Sequence, residues 1–299
     1  MTPIEQVRAF LADFMGSPDT SYMERRAQVA QFEAAFVMPD GVSAQSDTLG
    51  GIKVEWIVPD GAARTPVLFH LHGGGYVLGA PGGSRPFTTQ FALLTGARVV
   101  SIDYRLAPEH PYPAAVDDAV SAYSALLAQG VPPGAIAVGG ESAGGGLTFA
   151  LLLAARDQGL PMPACAYAIS PWTDLTCENQ TFETKKDVDP LLTRRSLKEM
   201  GDAYIADGNP RAPYASPLFA DLKGLPPLLI HVGSEEVLLD DARVLHSRAR
   251  SAGVDSKLTI APGMIHVWHM FHAMLPEGAA AIREIADFTT GRWKAARGN

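Results

Sequence analysis

The chain has 299 residues, 47% of them hydrophobic and 19% charged, which suits one large α/β domain or two small ones. A net charge of −8 argues against nucleic acid and against an anionic membrane surface as partners. No basic and apolar leader opens the chain, no apolar run approaches the ~20 residues of a membrane span, and Cys165 and Cys177 are too few for a disulfide framework. We therefore expect a cytoplasmic protein.

The first fifty residues carry two helix signals, each introduced by a capping-box spacing. Thr2–Glu5 opens the first helix and Ser21–Glu24 the second. Apolar side chains recur on one face of the first helix, at Ile4, Val7, Phe10, Leu11 and Phe14. Such stripes are more often core than ligand site. We expect residues 1–50 to form a helical cap segment, followed by a catalytic domain over residues 51–299.

Strand and helix signals alternate from residue 52 onwards. Residues 52–58 alternate between polar and apolar, as in an antiparallel strand near a sheet edge. Apolar runs follow at 67–71, 98–103, 135–138, 164–169, 228–232 and 257–260, and helical stretches at 114–129, 147–158 and 237–252. This order predicts an α/β fold with a mostly parallel central sheet covered by helices on both faces. The proline-rich stretch at about 172–225 is expected to add an insertion to the cap.

A G-x-S-x-G motif, Gly140–Gly144, lies between the strand at 135–138 and the helix at 147–158. This strand–turn–helix context is typical of a nucleophile elbow, in which a strained turn presents a serine, here Ser142. The serine oxygen would lie at a helix N-terminus, which favours developing negative charge. On the motif alone, a glycine-rich turn with an incidental serine remains an alternative.

A second glycine motif, His72–Gly75, follows the strand at 67–71 directly. Consecutive glycines leave backbone N–H groups open to a small oxyanion, and HGGG is a known oxyanion-hole motif. The N–H of Ala143 would supply a further donor. With the elbow also present, a merely flexible turn is the weaker interpretation.

A serine hydroxyl needs a neighbouring base, and His266 follows the last strand signal. His269 and His272 are rivals that lie further past the strand end. Four carboxylates follow the strand at 228–232, namely Glu235, Glu236, Asp240 and Asp241. Asp240 and Asp241 fall in the predicted first turn of a helix, where acids are common as dipole partners. The pattern leaves the orienting acid open, but the order serine, acid, histidine matches α/β-hydrolases.

Taken together, these motifs resemble the hormone-sensitive-lipase-like family (bacterial family IV) of α/β-hydrolase carboxylesterases. The residues that carry the resemblance are His72–Gly75, Tyr104–Glu109, Gly140–Gly144, Ser170–Trp172 and Gly263–His266. The resemblance implies an α/β-hydrolase fold with a helical cap, no cofactor, and ester hydrolysis through Ser142 and His266. It also implies an oxyanion hole made by two of the HGGG amides and Ala143, and we favour Gly74 and Gly75 for those two amides.

Two positions depart from the common pattern of that family. Glu141 stands where aspartate or threonine is more usual. The acid loop, Glu235–Leu238, replaces an aspartate followed by proline and leucine, and aligning the two loops places Glu236 on the catalytic acid.

The expected substrate is a small-molecule ester with a short-to-medium acyl chain of about four to eight carbons. An amidase or peptidase using the same triad is the alternative, and a non-catalytic ligand-binding protein is a more distant one. Neither H-E-x-x-H nor C-x-x-C occurs, so we expect no metal site. The last strand, 257–260, and the helix at about 277–293 are expected to form a homodimer contact.

Overall fold

The computed structural model describes residues 1–15 and 20–298, without the side chains of Phe14 and Met15. Its strands are β1 (Val42–Leu49), β2 (Ile52–Pro59), β3 (Val67–Leu71), β4 (Arg98–Ile102), β5 (Ile136–Glu141), β6 (Cys165–Ile169), β7 (Leu228–Gly233) and β8 (Ser256–Ala261). Its helices are α1 (Pro3–Met15), α2 (Tyr22–Ala35), α3 (Arg85–Thr95), α4 (Ala114–Ala128), α5 (Ala143–Asp157), α6 (Thr181–Thr184), α7 (Arg194–Ile205), α8 (Leu239–Ser251) and α9 (Pro276–Arg297).

The strands form one eight-stranded sheet in the order β1-β2-β4-β3-β5-β6-β7-β8. Strands β3 to β8 pair in parallel, whereas β2 is antiparallel to both of its neighbours. The central strands are short apolar runs because both of their faces are covered. Helices α3 and α9 contribute to the core on one face, and α4, α5 and α8 to the cores on the other. The predicted α/β architecture is confirmed.

The first strand, β1, lies in the segment that the sequence assigns to a helical cap. It pairs antiparallel with β2 across a tight turn at Gly50 and Gly51, both of which have positive φ. Strand β1 is an edge strand whose residues are exposed on both faces from Ser43 to Thr48. Its sequence therefore lacks the apolar alternation that would indicate a strand. The prediction of a helical segment over all of residues 1–50 is wrong for residues 42–49.

The two N-terminal helices attach to the domain in different ways. Helix α1 buries Val7 and Leu11 in a small apolar cluster with Ile265 and Trp268. Helix α2 has no fully buried residue. It is held by Arg26, whose guanidinium donates to the carbonyls of Val77 and Ala107 and pairs with Glu109. Polar contacts therefore anchor α2, whereas apolar contacts anchor α1.

The proline-rich stretch at 172–225 contains α6 and α7. Helix α7 buries Leu197, Met200 and Tyr204 in the large core cluster to which α5 also contributes. Within the described residues, no helix is both long enough and apolar enough to cross a lipid bilayer.

Candidate active site

Ser142 lies at the turn between β5 and α5 with a φ of 55° and a ψ of −121°. A positive φ is strained for any residue other than glycine, and it turns this side chain out of the elbow. The flanking glycines are required by close packing. A Cβ at Gly144 would lie 2.0 Å from the Leu71 carbonyl oxygen, and one at Gly140 would lie 2.3 Å from the same atom. The G-x-S-x-G composition thus follows from the approach of β3 to the elbow.

His266 connects Ser142 to Glu236. The Nε2 atom of His266 lies 3.0 Å from Ser142 Oγ, and its Nδ1 atom lies 2.7 Å from Glu236 Oε2. A carboxylate can only accept, so Nδ1 carries the proton and Nε2 is left as the acceptor facing the serine hydroxyl. All three side chains are buried, which strengthens these contacts by excluding water.

Both oxygens of the Glu236 carboxylate are engaged. Its Oε1 atom accepts from the Gly233 N–H at 2.6 Å and from the Ser170 hydroxyl at 2.8 Å, while Oε2 faces His266. The Ser170 oxygen in turn accepts from the Val267 N–H at 3.1 Å. Ser170 therefore ties the acid to the histidine loop. Ser170 belongs to the Ser170–Trp172 motif, but nothing local in the sequence indicates this contact.

The three competing carboxylates point elsewhere. Glu235 pairs with Arg8 of α1, and Asp240 pairs with Arg243 one turn along α8. Asp241 is fully buried and accepts from the N–H groups of Thr173 and Asp174, although burial raises its pKa to about 7. Glu236, the position indicated by the family alignment, is the one of the four that contacts His266.

The two alternative histidines, His269 and His272, lie in other surroundings. His269 is buried with its Nε2 atom 3.0 Å from Nδ1 of His231, and burial lowers its pKa well below the usual value. His272 lies half-buried just past the short 3₁₀ turn Trp268–Phe271. Neither ring approaches Ser142 within hydrogen-bond distance.

Hydrogen bonds that involve side chains help to hold the HGGG loop in one conformation. The Gly73 N–H donates to Glu141 Oε1 at 2.7 Å, the ring of His72 lies 2.7 Å from the Gly73 oxygen, and the Tyr104 hydroxyl donates to the His72 oxygen at 2.8 Å. Because the Gly73 amide is already engaged, the described part of the chain leaves Gly74, Gly75 and Ala143 as the free amides of this group.

A cavity of about 260 Å³ opens at Ser142. Its lining includes Leu78 from the HGGG side and apolar side chains from both predicted cap segments, namely Val29, Leu191, Leu192, Leu197 and Met200. Such a wall suits an acyl chain rather than a charged group. The two segments thus meet over the same serine.

The parallel sheet, the serine elbow and the histidine beyond the last strand define a hydrolase of the α/β class. A family model described as alpha/beta hydrolase fold matches residues 68–270, and the chain belongs to that family. The resemblance to its hormone-sensitive-lipase-like members is confirmed.

Two curated relatives cover most of the chain. An acetyl-hydrolase from Streptomyces hygroscopicus is 49% identical over 244 residues, which is 81% of this chain and 80% of that protein. An esterase from Acinetobacter venetianus is 39% identical over 243 residues, which is 81% of this chain and 80% of that protein.

Two solved structures are similar over almost their full length. An esterase from the bacterial hormone-sensitive lipase family matches with a TM-score of 0.94 and 40% identity, covering 97% of this chain and 98% of that one. EstE5, in crystals soaked with p-nitrophenyl butyrate, matches with a TM-score of 0.93 and 44% identity, covering 98% and 99%.

Proposed function

We propose that the protein is a serine carboxylesterase that hydrolyses esters of short-to-medium acyl chains through an acyl-enzyme. The family and its esterase and acetyl-hydrolase members support the class, a carboxylic ester hydrolase. The observation that carries the mechanism is the continuous chain of contacts from Ser142 Oγ through His266 to Glu236.

In the first step Ser142 Oγ attacks the ester carbonyl and His266 Nε2 takes the hydroxyl proton. The buried carboxylate of Glu236 holds the imidazole in the required tautomer and stabilises the imidazolium that forms. The carbonyl oxygen becomes an oxyanion beside the amides of Gly74, Gly75 and Ala143. Removing one donor of such a hole in other enzymes costs about 10²–10³ in turnover.

The tetrahedral intermediate collapses when the imidazolium returns its proton to the leaving alcohol. A water molecule then enters, His266 takes one of its protons, and the hydroxide attacks the acyl-serine. The second intermediate expels Ser142, which recovers its proton from His266, and the carboxylic acid leaves. No step requires a cofactor.

The substrate is proposed to be a small-molecule ester. The cavity at Ser142, about 260 Å³, is slightly smaller than the roughly 300–1,000 Å³ typical of ligand pockets. A relative is named an acetyl-hydrolase, and EstE5 was soaked with a four-carbon acyl ester. These observations favour short acyl chains.

The test is Ser142→Ala, assayed on p-nitrophenyl butyrate and on the matched anilide. We expect hydrolysis of the ester to fall on the order of 10⁶-fold in turnover while the melting temperature is kept. Ser121→Ala, which removes an exposed hydroxyl bonded to the Gly50 carbonyl, is the control and should stay within twofold. A folded Ser142→Ala protein with a tenth of wild-type activity would refute the proposal, and faster cleavage of the anilide would favour an amidase.

A further inference from the structure

Glu141 joins the nucleophile elbow to the HGGG loop. It precedes Ser142 and is buried, and its Oε1 atom accepts from the Gly73 N–H at 2.7 Å and from the Ser84 hydroxyl at 2.8 Å. The approach is tight, since a Cβ on Gly73 would lie 3.3 Å from both Glu141 Cγ and Ser142 Cβ. One carboxylate therefore spans the two segments that must be aligned for catalysis.

A buried histidine and tyrosine stand behind the other oxygen of this carboxylate. His70 Nε2 lies 2.7 Å from Glu141 Oε2, although the two atoms are not aligned as in a hydrogen bond. His70 Nδ1 lies 2.6 Å from the Tyr167 hydroxyl, and the two rings stack at 6.1 Å. Burial raises the pKa of Tyr167 well above its usual value, so Tyr167 keeps its proton.

The proton positions in this group follow from its chemistry. An ionised carboxylate can only accept, so a proton on His70 Nε2 is the arrangement that suits its place beside Glu141 Oε2. In the neutral imidazole Nδ1 is then an acceptor, and the Tyr167 hydroxyl donates to it. Space for the Tyr167 ring comes from Gly139, where a Cβ would lie 2.2 Å from the ring. The strand that carries the elbow therefore has a glycine at the position where the Tyr167 ring packs.

We propose that Glu141 is a positioning residue for the oxyanion hole, and that His70 and Tyr167 hold its carboxylate in place. By occupying the Gly73 amide, Glu141 orients the peptide units that follow and directs the Gly74 and Gly75 amides toward the substrate. A carboxylate suits this role because a charge-assisted hydrogen bond to an N–H is about twice as strong as a neutral one. The role rests on the proposed esterase function.

This role predicts a specific effect on the kinetics of Glu141 variants. The oxyanion exists only in the transition state and the intermediates, so misplaced donors should lower kcat and leave KM almost unchanged. A transition-state mimic such as an alkyl trifluoromethyl ketone, which forms an oxyanion adduct with serine, should lose affinity in proportion to the fall in kcat. A residue that merely stabilised the fold would lower the melting temperature without this correlation.

The test compares Glu141→Gln and Glu141→Ala with wild type on p-nitrophenyl butyrate. We expect kcat to fall about 10-fold to 100-fold in the glutamine variant and about 10²–10³-fold in the alanine variant, with KM within threefold. The inhibition constant of the trifluoromethyl ketone should rise in parallel. Glutamine is isosteric and keeps one acceptor oxygen, so this variant should fold even if Glu141→Ala does not.

Two further sets of variants complete the experiment. Tyr167→Phe and His70→Phe keep ring packing but remove the polar atoms behind Glu141, and each should lower kcat about 3-fold to 10-fold with the same inhibitor correlation. Asp118→Asn is the control, because Asp118 is a buried carboxylate that pairs with Arg105 and accepts its N–H, away from the serine. It should lower the melting temperature and leave the ratio of KM to inhibition constant unchanged.

Opposite outcomes would overturn the proposal. It fails if folded Glu141→Gln keeps wild-type kcat, or if its loss appears in KM while the inhibitor still binds tightly. Failure of the proposed esterase function would give a different result. It would appear as absent ester hydrolysis in wild type, or as retained hydrolysis in folded Ser142→Ala, whatever the Glu141 variants do.

Discussion

Arg8 on the first helix forms an ion pair with Glu235, the residue that directly precedes the proposed catalytic acid. Arg8 also donates to the Val188 carbonyl at 2.8 Å, so one side chain joins α1, the insertion and the acid loop. The same loop is held from the insertion side, where the Val237 N–H donates to Asp189 at 2.9 Å. Glu235 and Glu236 thus contact different partners, Arg8 of the first helix and His266.

This division predicts how the acids of the loop differ. Glu236→Gln should lower turnover by about 10⁴-fold, because the imidazole loses both its tautomer and its counter-charge. Glu235→Gln and Asp240→Asn should keep most of the activity, since both pairs are partly exposed and contribute only about 0–1 kcal/mol to stability. Steady-state kinetics and melting curves of the three variants check this. An inactive Asp240→Asn protein beside an active Glu236→Gln protein would show that the acid is misassigned.

The acyl-chain preference should follow the size of the cavity. Activity on p-nitrophenyl esters should peak at roughly four to eight carbons, in keeping with a small pocket. Met200 lies on the cavity wall, where its Sδ atom would be 2.2 Å from a Cβ at Gly75. Met200→Ala should therefore move the optimum to longer chains, whereas Met23→Ala, which truncates an exposed methionine of α2, should not. A wild-type maximum at sixteen carbons would contradict the prediction.

The C-terminal edge of the sheet should form a homodimer. Strand β8 is at the edge, where one row of backbone groups has no neighbouring strand in the described part of the chain, and α9 packs against β6 and β7 of the same sheet. Light scattering at micromolar concentration should give twice the chain mass. Thr259→Lys adds a charge to this edge and should favour the monomer, whereas Ser46→Lys on the opposite edge strand should not. A wild-type monomer would count against the contact.

Acid stability should depend on Glu284. Its contacts with His231, at 3.2 Å, and with Lys257, at 2.7 Å, lower its pKa to about 2. A lowered carboxyl pKa stabilises the fold fully above the unfolded value near 4.5, and this contribution is lost as the pH falls through about 2. Because the side chain is 30% exposed, we expect about 1–2 kcal/mol.

Urea unfolding of wild type and Glu284→Gln tests this contribution. The difference in unfolding free energy should be constant between pH 6 and pH 8 and should shrink below about pH 4.5. Asp287→Asn, an exposed acid one turn along α9, is the control and should change little at either pH. A difference that grows on acidification would contradict the assignment.

Much of the architecture was predictable because short stretches of sequence indicate it. The buried strands are continuous apolar runs, and the glycines of Gly140–Gly144 and His72–Gly75 record where backbone must approach backbone. Strand β1 was missed for the opposite reason, since an edge strand exposed on both faces needs no apolar alternation. The exposed helix α2, by contrast, is recognisable from its capping box, a local signal that an exposed edge strand lacks.

The sequence by itself determined the fold class, the serine elbow, the glycine loop and the histidine beyond the last strand, because each is encoded within a few consecutive residues. The alignment with the family indicated Glu236 as the acid, but only the tertiary structure shows that Glu236 contacts that histidine, and that Ser170 and Glu141 bridge loops far apart in the chain. The physical reason is that a side-chain contact between distant segments depends on where the sheet brings them together. Glu235 and Glu236 have the same chemistry, so their different contacts, with Arg8 and with His266, depend on how the fold places them.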